Sequence, residues 1–426
     1  MFHTDIAIIG GGPAGMAAAL AALEKGINNI TILERDNRTG GILNQCIHDG
    51  FGLHYFGERL TGPEYATRFL DRIKKSGITL MLNTMVTDVS DQKIITAVNE
   101  EKGLFQLSAK AVIMATGCRE RARGALNIPG TRPAGIYTAG TIQRLINMEG
   151  LIPGKNIVIL GSGDIGLIMA RRLTLEGANV KAVCEIMPYS SGLTRNIVQC
   201  LYDYDIPLKL SHTVTNIFGK NRVEKVEISK VDDNFKPIPG TQEFIDCDTL
   251  VLSVGLIPEN DITEGTGIIM NNATGGPLTD NNLMTHVPGI FSCGNCLHVH
   301  DLVDYVTEES ILAGQSAAEF IYHPENINQN FLEILSGKNV RYTVPAYVSK
   351  DTKNDITILF RVTNPLKDCT ICVKLEGSVV KSIKRAKCTP GEMEKIKLTS
   401  DQLKNFIDKN APVTIEINNT CYSYVE

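Results

Sequence analysis

The sequence feature that most constrains the fold of this chain is a glycine-rich turn close to its start. Apolar residues 6–9 predict a buried strand before the turn, and apolar residues 17–23 predict a helix after it. Gly10 permits the tight turn, Gly12 leaves no Cβ between the backbone and a ligand, and Gly15 lets the helix pack closely on the strand. The pattern therefore predicts that a pyrophosphate binds at the N-terminus of the helix.

The turn is followed by a second strand pattern that ends in an acid. Residues 29–33 lead to Glu34, which lies 19 residues beyond Gly15, where a carboxylate can accept hydrogen bonds from ribose hydroxyls. A glycine turn alone is weak evidence, because such turns are common, but strand, turn, helix and acid together predict a dinucleotide site. The predicted contacts are Gly10, Gly12, Pro13, Ala14, Gly15, Glu34, Arg35 and, in the paired glycines that follow, Gly41.

The same pattern occurs a second time, between residues 156 and 185. A strand, a glycine turn and a helix to about residue 176 precede a strand that ends in Glu185, again 19 residues beyond the last glycine. Two complete fingerprints predict two dinucleotides, and the acid favours NAD over NADP because it would repel a 2′-phosphate. Ser162 and Asp164 are interpreted as tolerated variants within the turn. The predicted contacts are Gly161, Gly163, Asp164, Ile165, Gly166 and Glu185.

Two further strand ends accompany the fingerprints. Residues 111–114 predict a buried strand that ends in Ala115, Thr116 and Gly117, and residues 287–293 predict a shorter one that ends in Gly294 and Asn295. A helix is predicted from about residue 306 to 321. Its small residues, at 313, 314 and 316–318, would let it lie tightly against a sheet or a ring system.

These four motifs, in this order, resemble the two-dinucleotide-binding flavoproteins of the pyridine nucleotide-disulfide oxidoreductase superfamily, in its thioredoxin-reductase-like branch, over about residues 3–325. The resemblance implies an α/β fold with two Rossmann-like three-layer dinucleotide-binding domains. It implies that the first fingerprint holds the ADP half of FAD and the second holds NAD(H). The N-terminus of the helix near residue 306 is then directed at the flavin. The further FAD contacts that it implies are Ala115, Thr116, Gly117, Gly294, Asn295, Val306 and Thr307.

Two departures from the family pattern bear on function. Asn295 stands where the family usually has Asp, and its amide can still accept a hydrogen bond. The redox cysteine pair is absent, since only Cys46 follows the Gly-Gly turn and no Cys-x-x-Cys lies in the predicted NAD domain. This flavin is therefore expected to serve something other than an ordinary disulfide.

Two cysteine pairs elsewhere have the spacing of a dithiol or a metal site. Cys293 and Cys296 coincide with the flavin-contact motif, where a small buried residue is usual. Cys369 and Cys372 lie in a strand pattern, in which residues three apart point to opposite faces. Packing is the favoured interpretation of both pairs, and no metal site is predicted.

Hydride transfer between nicotinamide and flavin needs stacked rings in a dry site rather than a side-chain acid or base. The candidates for further chemistry are Cys46, His48, His298 and His300. Cys46 lies where single-cysteine flavoproteins keep a thiolate over the flavin, and His48 could assist it; a buried thiol and a surface histidine are the alternatives. His298 and His300, with acids at 301 and 304, could form a proton relay at the isoalloxazine, or a solvated loop with a helix cap.

Residues 41–53, 60–64 and 297–304 resemble a narrower group, bacterial NAD(FAD)-dependent dehydrogenases related to subunits of opine oxidase and hydrogen cyanide synthase. Members are commonly paired with an anaerobic-type glycerol-3-phosphate dehydrogenase and a small cysteine-rich protein. The resemblance implies an enzyme that exchanges hydride with NAD(H) and relays electrons to or from such a subunit. The alternatives are a reductase of peroxides or small disulfides that uses Cys46, and a flavin-bound scaffold subunit without turnover.

The chain of 426 residues is long enough for several domains. We predict an FAD-binding domain built from residues 1–145 and 256–330, an NAD-binding domain at 146–255, and a small β-rich domain at 331–426, with a basic patch at 381–387. A formal net charge of −5 gives no reason to expect nucleic acid as a partner. No apolar run approaches the ~18 residues of a membrane span, so a cytoplasmic protein is predicted. The sequence leaves open whether it is a monomer or a homo-oligomer.

Overall fold

The computed structural model describes residues 2–326 and 330–419. By its internal contacts the chain forms two compact units, Met1–Cys118 together with Pro258–Glu426, and Arg119–Ile257. The first unit is thus built from both ends of the chain, and the second from one continuous stretch. The four-part division made from the sequence stays a prediction, and it includes residues 1, 327–329 and 420–426, which lie outside the described residues.

The chain begins with a layered sheet and two helices. The elements up to residue 120 are β1 (Phe2–Ile9), α1 (Pro13–Glu24), β2 (Ile30–Leu33), β3 (Asp49–Phe51), β4 (Leu60–Thr61), α2 (Gly62–Lys74), β5 (Thr79–Met81), β6 (Met85–Val89), β7 (Ile94–Asn99), β8 (Gly103–Met114) and β9 (Cys118–Glu120). Thr61 and Glu64 form a reciprocal capping box, which explains why α2 begins where it does.

The central sheet of the first unit has the order β5-β2-β1-β8-β7-β6. β1, β2, β5 and β8 run parallel, whereas β7 and β6 extend the sheet antiparallel. β8 pairs with β1 on one edge and with β7 on the other. The buried strand predicted at 111–114 is therefore the end of a longer strand, which begins at Gly103.

The second unit consists mainly of a parallel sheet and its helices. Its elements are α3 (Arg123–Leu126), β10 (Ile136–Thr138), α4 (Ala139–Glu149), β11 (Asn156–Leu160), α5 (Asp164–Leu175), β12 (Asn179–Glu185), α6 (Thr194–Cys200), β13 (Leu208–Leu210), β14 (His212–Phe218), β15 (Lys225–Lys230), β16 (Glu243–Asp246) and β17 (Thr249–Leu252), and it ends within β18 (Leu256–Pro258). The parallel sheet has the order β10-β17-β11-β12-β13, and β14, β15 and β16 form a separate antiparallel sheet. The apolar runs of β11 and β17 are buried, as strands covered on both faces must be.

The chain then returns to the first unit. Its remaining elements are β19 (Ile290–Ser292), α7 (Val303–Tyr322), β20 (Phe331–Ser336), β21 (Val340–Val344), β22 (Tyr347–Ser349), β23 (Ile356–Val362), β24 (Leu366–Leu375), β25 (Ser378–Cys388), β26 (Glu394–Leu398), α8 (Ser400–Lys409) and β27 (Val413–Asn419). β19 pairs parallel with β8, so it joins the first sheet. α7 begins three residues before the predicted start at 306.

The C-terminal region is β-rich, as predicted. β22-β20-β27-β24-β25 form one sheet and β21-β23-β26 another, around an apolar core of their own. α8, which Thr399 caps, interrupts this region and was not predicted. Its apolar residues Leu403 and Phe406 are buried in the same core, so the helix closes the core rather than extending from it.

Candidate functional site

The first glycine turn leaves no room for side chains. Gly10 has a φ of +109°, and a Cβ there would lie 2.3 Å from the carbonyl oxygen of Ala115. A Cβ on Gly15 would lie 1.9 Å from the carbonyl oxygen of Gly10. The two glycines therefore let β1, the end of β8 and α1 approach more closely than any other residue allows.

The N-terminus of α1 is open to a ligand. Gly12 occupies the N-cap position without a side-chain cap, and a Cβ on Gly12 would meet only the Cα of Gly41, at 4.0 Å. Backbone N–H groups at the positive end of the helix thus border a space lined by two glycines. This arrangement fits a pyrophosphate, and the first turn of α1, which begins with Pro13 and Ala14, would hold that part of FAD.

Glu34 ties the turn to the end of β2. Its Oε2 accepts a hydrogen bond from the Gly11 N–H (2.7 Å), and its Oε1 accepts one from the Asp36 N–H (2.8 Å). Burial raises the pKa of Glu34, and the two N–H groups offset part of that rise. Each carboxylate oxygen keeps a lone pair for a ribose hydroxyl. The side chain of Arg35, predicted beside it, is exposed.

One polar group beside this turn was not predicted. The Thr39 hydroxyl is buried and has no hydrogen-bond partner within the described residues. A Cβ on Gly11 would lie 3.0 Å from both Thr39 Cγ2 and Glu34 Oε2, so Thr39 borders the predicted ribose site. Buried hydroxyls normally have partners, which makes Thr39 a candidate ligand contact. Its only signal in the sequence is its position before the Gly-Gly pair.

The second glycine turn repeats this geometry in the other unit. Gly161 has a φ of +100°, and a Cβ there would lie 2.0 Å from the carbonyl oxygen of Ser253. The Ser162 N–H and hydroxyl donate to Glu185 Oε2 (2.9 and 2.6 Å), and the Met187 N–H donates to Oε1 (3.0 Å). Glu185 is buried and thus holds its turn as Glu34 does, with one additional hydroxyl bond.

α5 starts directly after this turn. Gly163 is its N-cap without a side-chain cap, and Asp164, Ile165 and Gly166 form its first turn. A Cβ on Gly166 would lie 2.8 Å from the Ser253 side chain, so the glycine allows the helix to pack closely. The helix end is therefore placed as the predicted dinucleotide contact requires.

Ser162 and Asp164 have structural roles that the sequence did not reveal. Asp164 Oδ1 accepts hydrogen bonds from the Leu193 N–H (2.8 Å) and from Asn196 Nδ2 (2.7 Å). Ser162 Oγ accepts one from the Ser191 N–H (3.3 Å). These bonds fasten the loop after β12 to the glycine turn, because a short polar side chain can bond to backbone groups of a neighbouring loop.

The structure brings several predicted flavin-side residues together in the first unit. A Cβ on Gly294 would lie 2.9 Å from the Ala14 Cβ and 3.3 Å from Val306 Cγ1, so the glycine joins the starts of α1 and α7. The Thr116 hydroxyl donates to the carbonyl oxygen of Glu259 (2.5 Å), ahead of Gly117 at a φ of +73°.

Val306 and Thr307 lie in the first turns of α7 rather than at its start. The Thr307 hydroxyl is buried and lies 2.7 Å from the Tyr65 hydroxyl of α2. Burial raises the pKa of Tyr65, so this phenol stays protonated at physiological pH. Thr307 therefore ties α7 to α2 in the present structure.

His298 and His300 meet at a residue that was not predicted, Glu309 of α7. His298 Nε2 lies 2.8 Å from Glu309 Oε2, and His300 Nε2 lies 3.2 Å from Oε1. The His300 N–H also donates to Asn295 Oδ1 (3.0 Å). These residues form a buried cluster rather than a solvated loop. Asp304 lies apart from them and accepts a hydrogen bond from the His54 N–H (3.1 Å).

The same donor atoms lie within 4.8 Å of one another, close enough to hold a metal ion. Histidines that bind metals usually donate their second N–H to a carboxylate or carbonyl group. Here Nδ1 of His298 and Nδ1 of His300 have no partner within the described residues. Hydrogen bonds to Glu309 explain the arrangement without a metal.

Cys46 follows a single 3₁₀ turn, Gly41–Gln45, and its thiol donates to the carbonyl oxygen of Ile42 (3.3 Å). Burial raises the pKa of the Cys46 thiol to about 12, the opposite direction from an activated thiolate. The His48 ring packs against Phe51, with ring centroids 5.0 Å apart. These contacts favour packing roles for both residues.

The two cysteine pairs with dithiol spacing have other partners. The Cys296 thiol donates to the carbonyl oxygens of Met114 (3.1 Å) and Cys293 (3.2 Å). Cys369 Sγ lies 3.4 Å from Sγ of Cys388 on β25, the neighbouring strand. Both contacts are buried, and packing stays the favoured interpretation.

Residues of the C-terminal region bond to the segment that contains His298 and His300. Arg361 of β23 forms a buried ion pair with Asp301 and donates to the carbonyl oxygen of Val299 (3.0 Å). Its Nε donates to the Tyr342 hydroxyl (3.1 Å), while the Met393 N–H donates to Asp301 Oδ2 (2.5 Å). Asp301, predicted as part of a proton relay, is therefore an ion-pair partner.

Comparisons with known proteins identify the family and the fold of this chain. Residues 4–318 match the family model described as pyridine nucleotide-disulphide oxidoreductase. The hydrogen cyanide synthase subunit HcnB of Pseudomonas protegens is 26% identical over 289 residues, 64% of this chain and 60% of that protein. A subunit of alkyl hydroperoxide reductase from Staphylococcus aureus is 26% identical over 325 residues, 74% of this chain and 57% of that protein. NADH dehydrogenase of Bacillus subtilis is 26% identical over 297 residues, which are 68% of this chain and 53% of that protein. The chain thus spans only about half to three fifths of the length of these relatives.

Solved structures share the fold. Thioredoxin reductase of T. acidophilum has a TM-score of 0.61 at 22% identity, covering 75% of this chain and 99% of that one. Bacillithiol disulfide reductase of Bacillus cereus has a TM-score of 0.59 at 17% identity, and the match covers 74% of this chain and 99% of that one. The predicted two-domain dinucleotide-binding fold is thereby confirmed. Within the described residues, no helix is long and apolar enough to cross a membrane.

The family match covers well over half of the sequence and accounts for both glycine turns. The match fits the predicted class of enzyme, an FAD-dependent NAD(P)H oxidoreductase, and the two predicted cofactors, since members of the family bind FAD and NAD(P)H. The chain belongs to the pyridine nucleotide-disulphide oxidoreductase family.

Proposed function

We propose that this protein exchanges hydride between NAD(H) and an FAD held at the first glycine turn, and relays electrons to or from a partner redox subunit. One observation carries the proposal. Glu34 and Glu185 each accept a hydrogen bond from a backbone N–H in the middle of their glycine turn. Each also accepts one from the backbone N–H of the residue two positions after itself. Each unit therefore offers its own dinucleotide site. FAD supplies the hydride chemistry when bound, and this chain binds, orients and shields the reacting groups.

The partner subunit is supported by the state of Cys46. A half-buried thiol with a raised pKa is a poor nucleophile, so Cys46 is a poor route for electrons that leave the flavin. Two of the relatives are themselves named as subunits, of hydrogen cyanide synthase and of alkyl hydroperoxide reductase. We place the partner in glycerol 3-phosphate oxidation, as a dehydrogenase-like subunit or a small cysteine-rich protein, following the sequence resemblance.

Anaerobic stopped-flow mixing of the FAD-loaded protein with NADH tests the hydride exchange. We expect loss of the oxidised-flavin absorbance, faster with NADH than with NADPH because Glu185 repels a 2′-phosphate. Glu185→Gln removes that charge and one acceptor, and is expected to raise the KM for NADH roughly tenfold. A flavin that NADH leaves oxidised would contradict the proposal and favour the scaffold subunit.

A second candidate, a reductase of peroxides or small disulfides, is favoured by the position of Cys46 directly after the Gly-Gly turn. Cys46→Ser separates the two. We expect unchanged NADH-driven reduction of an artificial acceptor, and slow alkylation of Cys46 in the native protein, because a pKa of about 12 leaves roughly one thiol in 10⁵ ionised at neutral pH. Cys200→Ser, in the other unit, is the control. Loss of peroxide or disulfide turnover in Cys46→Ser alone would establish the rival.

A further inference from the structure

Glu309 is the centre of a buried cluster that hydride transfer itself does not use. Its Oε1 accepts hydrogen bonds from the Gly294 N–H (2.7 Å) and from His300 Nε2 (3.2 Å), and its Oε2 accepts one from His298 Nε2 (2.8 Å). The side chains of Glu309, His300 and His298 are 5%, 1% and 0% exposed, respectively. Burial alone would raise the pKa of Glu309, but the two imidazoles outweigh it and hold that pKa well below its usual range. The carboxylate is therefore an anion.

Each of the two imidazoles has one ring nitrogen, Nδ1, without a hydrogen-bond partner in the described residues. Their centroids lie 4.2 Å apart, both Nε2 atoms face Glu309, and both Nδ1 atoms are buried without a partner in the described part of the chain. Burial lowers the pKa of His298, and the neighbouring His300 lowers it further, so His298 is neutral. The cluster thus combines one carboxylate with two buried Nδ1 atoms that have no partner within the described residues.

The cluster is bonded directly to the segment predicted to contact the flavin. Glu309 fixes the N–H of Gly294, and the N–H of His300 fixes the Oδ1 of Asn295. Gly294 in turn packs against Ala14 and Val306, at the starts of α1 and α7. A change of charge in the cluster thus acts directly on two residues that are predicted to contact FAD.

Other ionisable groups around the cluster leave this charge unbalanced. Burial raises the pKa of the Cys293 thiol, which stays neutral. Arg361 faces His298 from β23, but Asp301 pairs with it. The Tyr342 ring lies 6.1 Å from His298, and burial raises the pKa of its phenol, which stays neutral. Glu309 therefore supplies the uncompensated charge of this group.

We propose that His298, His300 and Glu309 form a proton-binding site that takes up one proton from solvent when the bound flavin is reduced by two electrons. Hydride leaves NADH, which becomes NAD⁺, and the flavin site gains one negative charge. The proton adds to Nδ1 of one imidazole, so the net charge of the cluster rises by one and offsets the charge gained at the flavin site. Glu309 is the positioning residue, because its anion makes a buried imidazolium favourable. The inference rests on the proposed binding of FAD beside Gly294 and Asn295.

The pH dependence of the flavin midpoint potential tests this site in the FAD-loaded protein. The wild type, Glu309→Gln and Glu308→Gln are reduced with a chemical reductant and a reference dye across about pH 6 to 8. We expect Glu309→Gln to take up about one proton fewer per two electrons than the wild type. Glu308 is the exposed neighbour on the same helix, and Glu308→Gln is expected to match the wild type.

The chemical reductant separates this inference from the proposed function. If NADH cannot reduce the wild-type protein, the proposed function is overturned. The proton site would still hold if Glu309→Gln takes up fewer protons per two electrons than the wild type. An unchanged count in folded Glu309→Gln would overturn the proton site alone. If Glu309→Gln does not fold, as judged by circular dichroism, His300→Gln keeps the bond from Gly294 to Glu309 and takes its place, with the same two outcomes.

Histidine-labelled NMR of the wild-type protein gives an independent readout. We expect reduction of the flavin to add one imidazolium to the pair formed by His298 and His300. The exposed His323 serves as the internal control, because its titration should not depend on the redox state. Two rings whose protonation is the same in the oxidised and the reduced protein would overturn the proposal.

Discussion

Single carboxylates set the local geometry at both glycine turns. Glu34 and Glu185 end their strands, become buried, and bond to the turn 23 residues earlier through Gly11 and Ser162. The same side chain that a ribose would need therefore also shapes the turn. This double role explains why one spacing between turn and acid recurs in both units.

Asp280 provides a test of buried charge at the same scale. Its Oδ1 accepts from the Asn282 N–H (2.8 Å) and the Met284 N–H (3.0 Å), while burial raises its pKa to about 6. The folded carboxyl keeps its proton up to about pH 6 and the unfolded one only to about pH 4, so stability falls as pH rises through that window. Asp280→Asn keeps the acceptor and is expected to raise the free energy of unfolding by about 2 kcal/mol at pH 8, but not near pH 4.

Urea unfolding at both pH values measures this effect. Asp91→Asn, at an exposed turn, is the control and should change stability equally little at either pH. A gain in Asp280→Asn that did not depend on pH would show that folding does not shift the pKa of Asp280.

At the scale of elements, the close packing of α1 and α7 positions the predicted FAD site. A Cβ on Gly314 would lie 2.1 Å from the carbonyl oxygen of Ala18, so the two helices are in backbone contact. The small residues were predicted to let α7 lie tightly on a sheet or a ring system, and α7 does contact β1, β8 and β19 of the first sheet as well as α1. This contact places the open end of α1 beside Gly294.

Gly314→Ala should therefore reverse the usual effect of this substitution. Ala normally stabilises a helix interior by up to about 1 kcal/mol relative to Gly. Here we expect a loss of about 2 kcal/mol from overpacking, together with weaker FAD binding as α1 shifts. Thermal unfolding and FAD retention on gel filtration measure both. Gly124→Ala, where a Cβ would meet nothing within 4 Å, should be neutral. A stabilised Gly314→Ala would contradict the observed packing.

At the scale of the molecule, the first unit joins the two ends of the chain and includes the C-terminal β-rich region. That region contacts the histidine segment through Arg361 and Asp301, whose side chains are only 12% and 13% exposed. The segment before α7 is thus held from β23 on one side and by Glu309 on the other. A change in the C-terminal region can therefore reach the predicted flavin contact.

Breaking this ion pair from one side should be costly. Arg361→Met leaves Asp301 buried without its partner and is expected to lower the free energy of unfolding by about 3 kcal/mol. The double variant with Asp301→Asn should recover a large part of that loss, since no buried charge remains. Urea unfolding of the wild type, Arg361→Met, Asp301→Asn and the double variant gives the coupling energy between the two side chains. Lys404→Met, which breaks an exposed pair with Asp401, is the control and should have little effect. A single variant as stable as the wild type would mean that the pair is not buried in solution.

Local patterns were enough for much of the fold and for both turns. β1, β2 and β12 lie where apolar runs predicted them, and α5 ends one residue before its predicted end at 176. These features depend on neighbours a few residues apart, which a single sequence displays directly. α8 was missed because its short apolar stripe lies among strand-like runs.

By itself the sequence determined where chain turns expose a helix N-terminus, because glycine conformation and strand period act over a few residues. Only the tertiary structure decided which side chains share a buried space. Glu309 meets His298 and His300 because α7 carries it back over the loop, and Asp301 meets Arg361 from 60 residues away. Burial then set the charge states, raising the pKa of Cys46 and favouring a neutral His298. Desolvation depends on every packed neighbour, and no local pattern contains it.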